Sequence, residues 1–108
     1  MKHVLWLDAV NAPPKSDNTQ YYWAKGVYCA IDILLKCEYP IKDYGHIEYV
    51  DMDYDAGDYV KQGGQYIEFL HFLELTGRNY PVRIHTTDEC QVKELRDIVV
   101  RNGWFEIT

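Results

Sequence analysis

Basic side chains are scarce in this sequence, and none lies between Lys42 and Lys61. Over 108 residues, 11 lysines and arginines stand against 17 aspartates and glutamates, a formal net charge of −6. Binding to a nucleic-acid backbone relies on basic residues that displace counterions from the phosphates. This balance therefore excludes a duplex-binding role and leaves room only for a small phosphate bridged by a metal. Cysteine is also scarce: Cys29, Cys37 and Cys90 are odd in number, form no CxxC and share no metal-ligand spacing. They read as reduced thiols of a cytoplasmic protein, with Cys29 and Cys37 semi-buried on or near a helix. Long apolar runs are missing too. None approaches the ~20 residues needed to cross a bilayer, and no charged-then-apolar leader opens the chain, so no membrane partner is expected.

What remains is the composition of a globular protein, 47% apolar and 26% charged. The length fits one domain, residues 1–108, large enough for a real core and too small for two. Ten of the rings are tyrosine, against three tryptophans and three phenylalanines. An apolar body with a polar tip suits half-buried positions and contact surfaces, so this bias raises the prospect of a partner without naming one.

Along the chain, strands and helices alternate. Residues 3–10, "HVLWLDAV", form a nearly continuous apolar run ending at an aspartate, as a buried parallel strand reads. Residues 11–20 are rich in Pro, Asn, Ser and Asp and read as a loop. "YYWAK" resumes a strand pattern, and after Gly26 the spacing of Val27, Ala30, Ile31, Leu34 and Leu35 marks one helix face, which should stop before Pro40. "HIEYVDM" is a third strand. The face Tyr66, Phe69, Leu70, Leu73 gives a second helix over residues 65–76, stopped by Gly77. "YPVRIHTT" is a fourth strand. Asp88 with Gln91 resembles a capping box that opens a third helix through Leu95, Ile98 and Val99, closed by Asn102 and Gly103, and "WFEI" reads as an edge strand. This order gives an α/β sandwich around a mostly parallel sheet.

In an open parallel sheet, ligands bind beyond the carboxyl ends of the strands. Asp8 ends the first strand, Asp53 and Asp55 the third, and His85 with Thr86 the fourth, so three separate segments bring acids and one imidazole to a common rim. In an extended chain Asp53 and Asp55 share a face, with Asp51 beneath them. Carboxylates converging with Asp8 suit Mg²⁺ or Mn²⁺, which take oxygen ligands and keep waters that a phosphate can replace; the plainer reading is a solvated acidic turn. An EF-hand loop fails, since Ala56 stands where glycine is needed and Gln62 replaces the final glutamate. His85 suits proton transfer near neutral pH, or a structural hydrogen bond. His3, His46 and His71 have no companions at useful spacing. Lys25 and Arg83 are the nearest cations for holding an anion.

Taken together, "LWLDAVNAPP", "WAKGVYCAIDILL", "DYDAG", the glycine pair before the second helix, and "RIHTTD" resemble the cyclic-phosphate-processing receiver-like family of bacteria and their phages, a variant of the response-regulator receiver fold. The resemblance spans nearly the whole chain in order. It implies a receiver-like (flavodoxin-like) three-layer sandwich of four or five strands and three main helices. It also implies a metal held by Asp8, Asp53 and Asp55, catalytic roles for His85, Asp53 and Asp55, and substrate contacts from Thr86, Gly57 and Gly64. Ala9, Asn11, Tyr54 and Asp88 stand where the family pattern has an aspartate, an arginine, a histidine and an asparagine. The late strand is followed by "IHTTDE" with no lysine, which sets the chain apart from receivers that signal through an aspartyl phosphate.

Three functions are open at this point. One is a metal-dependent phosphoesterase that opens a cyclic phosphate, with His85 moving the proton and Thr86 orienting a phosphate oxygen. A second is a receiver-like module without turnover that engages a protein partner through its acidic, tyrosine-rich surface. The third is a sensor that binds a cyclic nucleotide without cutting it.

Overall fold

The computed structural model describes residues 1–39 and 44–108. Five strands form one all-parallel sheet in the order β2-β1-β3-β4-β5: β1 Lys2–Leu7, β2 Thr19–Ala24, β3 Tyr49–Met52, β4 Val82–Ile84 and β5 Glu106–Ile107. Three helices connect them, α1 Val27–Glu38, α2 Ile67–Leu75 and α3 Glu89–Arg101, with a single 3-10 turn at Gly57–Tyr59. This is the α/β three-layer arrangement in flavodoxin-like strand order.

The layers are unequal, for a reason rooted in connectivity. The β2-to-β3, β3-to-β4 and β4-to-β5 crossovers all step the same way across the sheet, and right-handed crossovers in one direction place their helices on one face. Thus α1 packs beside α2 and α2 beside α3. The main core lies between those helices and Leu5, Leu7, Val50, Met52 and Val82 of the strands. The step from β1 to β2 runs the other way and carries no helix. The segment 8–18 makes it instead, a thin third layer on the opposite face, where Val4 and Trp6 are buried outside the main core.

Strand boundaries are tighter than the composition suggests. β1 ends at Leu7, because the Asp8 side chain turns the chain back on itself; Thr19 and Gln20, expected in the loop, align with Lys2 and His3 and begin β2. β3 is only Tyr49–Met52, so Asp53 and Asp55 lie in the turn beyond it and not on one extended face. β4 shrinks to Val82–Ile84. Helix ends follow local chemistry. α1 stops at Glu38, as expected ahead of Pro40, which itself lies outside the described residues. Asp88 caps α3 by accepting the Gln91 N–H at 3.0 Å, and Gly77 and Gly103 take left-handed φ of 68° at the ends of α2 and α3. Of the cysteines expected to be semi-buried, Cys37 is buried and Cys29 is exposed, since it sits on the solvent side of α1. No helix of the described residues is long and apolar enough to cross a membrane.

Candidate metal centre at the carboxyl rim of the sheet

β1 carries Asp8 to its end, where the side chain is nearly inaccessible at 1% exposure. One carboxylate oxygen, Oδ1, accepts the backbone N–H groups of Val10 (2.9 Å) and Asn11 (2.8 Å), a tight Asx turn that starts the helix-free connection. The other, Oδ2, is 3.3 Å from the Asn11 amide nitrogen and 2.9 Å from His85 Nε2. Two indoles lock this turn: Trp6 Nε1 donates to the Asn11 carbonyl and Trp23 Nε1 to the Asp8 carbonyl, each at 2.8 Å. Burial alone would raise the Asp8 pKa. The N–H groups of Asn11 and Val10, together with the His85 and Asn11 side chains, outweigh burial and pull its pKa below the ordinary value.

His85 leaves β4 just past its last paired residue, with its backbone N–H on the Met52 carbonyl at 2.9 Å. Its ring lies flat on Trp6, centroids 4.3 Å apart and planes 12° from parallel. Nδ1 is 2.6 Å from Asp51 Oδ1 while Nε2 faces Asp8. Burial would lower the imidazole pKa, but hydrogen bonds to Asp51 and Asp8 more than offset it, and the pKa is raised. The ring thus bridges two buried carboxylates, Asp51 on Nδ1 and Asp8 on Nε2. Asp51, 2% exposed, is in turn contacted by Arg83 Nη1 at 3.1 and 3.3 Å.

Asp53 follows β3 with its backbone N–H on the Leu7 carbonyl, which ties this turn to β1. Its Oδ1 accepts the Tyr54 N–H at 2.7 Å. Ligand atoms of Asp8, Asp53 and His85 all lie within 4.8 Å of one another, a spacing one divalent cation could span. The acidic rim read from the sequence is thus assembled from β1, β3 and β4.

Other expected site residues are placed differently. Asp55 is exposed, and its Oδ1 accepts the Gly57 N–H at 2.8 Å, so it shapes the turn and stands outside that three-residue group. The Gly57 and Gly64 N–H groups are spent internally, on Asp55 and on the Val60 carbonyl. Thr86 donates to Gln91 Oε1 at 2.9 Å and so steadies the entry to α3. Arg83 is held on Asp51, and Lys25 Nζ rides 4.6 Å above the Trp23 ring.

Reading the acidic stretch alone placed Asp51 beneath Asp53 and Asp55 but gave no role to it, the most informative residue of the stretch. A signal for it exists, because "YVDM" and "VRI" each place one charge inside an otherwise apolar parallel strand. Only Asp51 is enclosed, and a buried carboxylate needs partners such as the half-exposed Arg83 on the neighbouring strand to offset its desolvation. The register sets Trp6, Asp51 and Arg83 side by side. No family model, curated protein or solved structure matches the chain.

Proposed function

We propose that this chain is a receiver-like domain whose rim holds a divalent cation through Asp8, Asp53 and His85 and uses it to hydrolyse a cyclic phosphate. The observation that carries the reading is the 2.6 Å contact from Asp51 to His85 Nδ1. Metal-binding imidazoles characteristically donate their second ring N–H to a carboxylate, which fixes the tautomer and aims the other nitrogen at the ion. Here Nε2 points at Asp8, the buried carboxylate of the same cluster. The donor set of two carboxylates and one imidazole fits Mn²⁺ better than Mg²⁺, because a ring nitrogen suits transition ions and magnesium favours oxygen. With the Nε2 proton released, that nitrogen and the Asp8 and Asp53 carboxylates, all within 4.8 Å of one another, offer three ligand atoms to one cation.

A cation at this position supplies positive charge to a phosphoryl group as negative charge builds on its oxygens. In the proposed step, a water oxygen bonds to phosphorus, one ring P–O bond breaks, and a proton passes to the departing alkoxide to leave a phosphomonoester. His85 serves as a ligand and not as the free base expected from the sequence, since both its nitrogens are engaged.

The experiment is an assay against a 2′,3′-cyclic nucleotide with Mn²⁺ or Mg²⁺. Turnover that EDTA and Asp53→Asn both abolish supports the reading. Saturable Mn²⁺ binding without turnover on any cyclic phosphate leaves the non-catalytic module in its place. That second reading draws on the internally spent Gly57 and Gly64 N–H groups, which deprive a phosphate of the backbone donors the resemblance implies.

A further inference from the structure

The two edges of the sheet are built in opposite ways. β5 has two residues, and Glu106 on it is clasped by Arg96 at 2.7 and 2.8 Å. β2 has six, TQYYWA, with no charge, proline, glycine or bulge within it. Natural edge strands are normally blunted by one of those devices, because unpaired backbone groups invite another strand.

The direction of those groups follows from the ladder. Lys2 donates its N–H to the Asn18 carbonyl and Asp8 to the Ala24 carbonyl, so the even-numbered residues of β2 bond to β1. Thr19, Tyr21 and Trp23 then point their N–H and C=O outward. The Gln20 amide reaches round to the Tyr21 carbonyl at 3.3 Å, as an outward carbonyl allows. Among the described residues no other backbone group pairs with this edge.

The charges flanking β2 select the occupant. Asp17 precedes the strand and Lys25 follows it, with nothing charged between. An antiparallel partner that suits this edge must carry a base opposite Asp17 and an acid opposite Lys25. A second copy of the chain, turned about a two-fold axis through Tyr21, meets that requirement. Tyr21 then pairs with its own copy, Thr19 with Trp23, and Asp17 with Lys25. The three strand residues are odd-numbered and share the sheet face that carries no helix, their outward N–H and C=O groups are all satisfied, and Asp17 and Lys25 meet in the bends just beyond the strand ends. An axis through Tyr22 would instead set Thr19 against Lys25 and leave Asp17 unmatched. Since, among the described residues, only one edge is long and open, such pairing closes as a dimer and does not propagate.

We infer that the protein forms a two-fold dimer through antiparallel pairing of β2 with β2, giving one continuous sheet with both acidic rims at its carboxyl ends. The inference is independent of the metal and of any turnover.

Sedimentation equilibrium on the full chain tests it. The native protein should be dimeric, and Tyr21→Pro, which removes an outward donor without touching the bonds to β1, should be monomeric with an unchanged circular dichroism spectrum. Lys25→Asp and Asp17→Lys should each weaken the dimer roughly tenfold or more, because like charges then meet at both ends. Mixed in equal amounts, those two variants should pair with each other, since every end then faces its opposite. A protein still monomeric near about 1 mM overturns the inference. So does a dimer that tolerates Tyr21→Pro, or a failure of the two charge variants to rescue one another.

Discussion

At the scale of single residues, half-buried charge is held by partners chosen from distant parts of the chain. Glu38, at the end of α1, receives Arg78 Nε and Nη2 at 2.8 to 3.0 Å and the Tyr80 hydroxyl at 2.5 Å, while Arg78 lies over the Phe72 ring. The Arg78 hydrogen bonds, acting against partial burial and helped by Tyr80, depress the Glu38 pKa below its ordinary 4.5. A carboxyl with a lowered folded pKa adds stability that is complete above its unfolded value and fades as the pH falls through the folded one. Urea denaturation between pH 7 and pH 3 should therefore show native stability falling more steeply below pH 4.5 than in Glu38→Gln. The variant should also lose about 1–3 kcal/mol at pH 7, since it leaves a charged donor poorly matched. Equal slopes for the two proteins would dismiss the role of this pair. The sequence offers little notice of it, because Glu38 and Arg78 are forty positions apart and meet only where the end of α1 reaches the segment between α2 and β4.

At the scale of elements, the most legible features were those written in a few adjacent residues. The Asp88 cap, the glycine stops at Gly77 and Gly103 and the apolar face of α2 all emerge where the local pattern puts them. Short-range rules decide helix ends, because the orphan N–H and C=O groups there have few alternatives to side chains nearby. Replacing Asp88 with Ala should cost about 1 kcal/mol, the usual worth of such a cap. That corresponds to a fall of roughly 4–8 °C in melting temperature, measurable by calorimetry. Asp88→Ser should recover most of it, since a hydroxyl also accepts from the Gln91 N–H; a loss that serine does not repair would move the role of Asp88 elsewhere. Strand ends were less legible. Residues 46–48 look like strand by composition, yet the ladder starts at Tyr49, with only the Glu48 N–H reaching β1 ahead of it, on the His3 carbonyl at 2.8 Å. Pairing partners set that boundary, and a partner is not a local property.

At the scale of the whole molecule, the convergence of Asp8, Asp53 and His85 was legible from topology, because parallel strands must deliver their carboxyl ends to one side. The exclusion of Asp55 was not, since it depends on the turn past Met52 folding the Asp55 carboxylate back onto the Gly57 N–H. A rim that brings the Asp8 and Asp53 carboxylates together should be stabilised by a bound cation. A ligand that binds the folded state alone stabilises it by RT ln(1 + [L]/Kd), about 2.7 kcal/mol at a hundredfold excess over Kd. Mn²⁺ at that excess should raise the melting temperature by roughly 10 °C or more, and EDTA should reverse the gain. Asp53→Asn should remove the response. Asp51→Asn, which touches His85 but lies outside the proposed ligand set, should keep the response yet shift its Mn²⁺ midpoint upward about 10–100-fold, as expected when the carboxylate that orients a ligating imidazole is lost. If Asp51→Asn left the midpoint unchanged while Asp53→Asn abolished it, the imidazole would not be a ligand, and the cation would rest on the carboxylates alone.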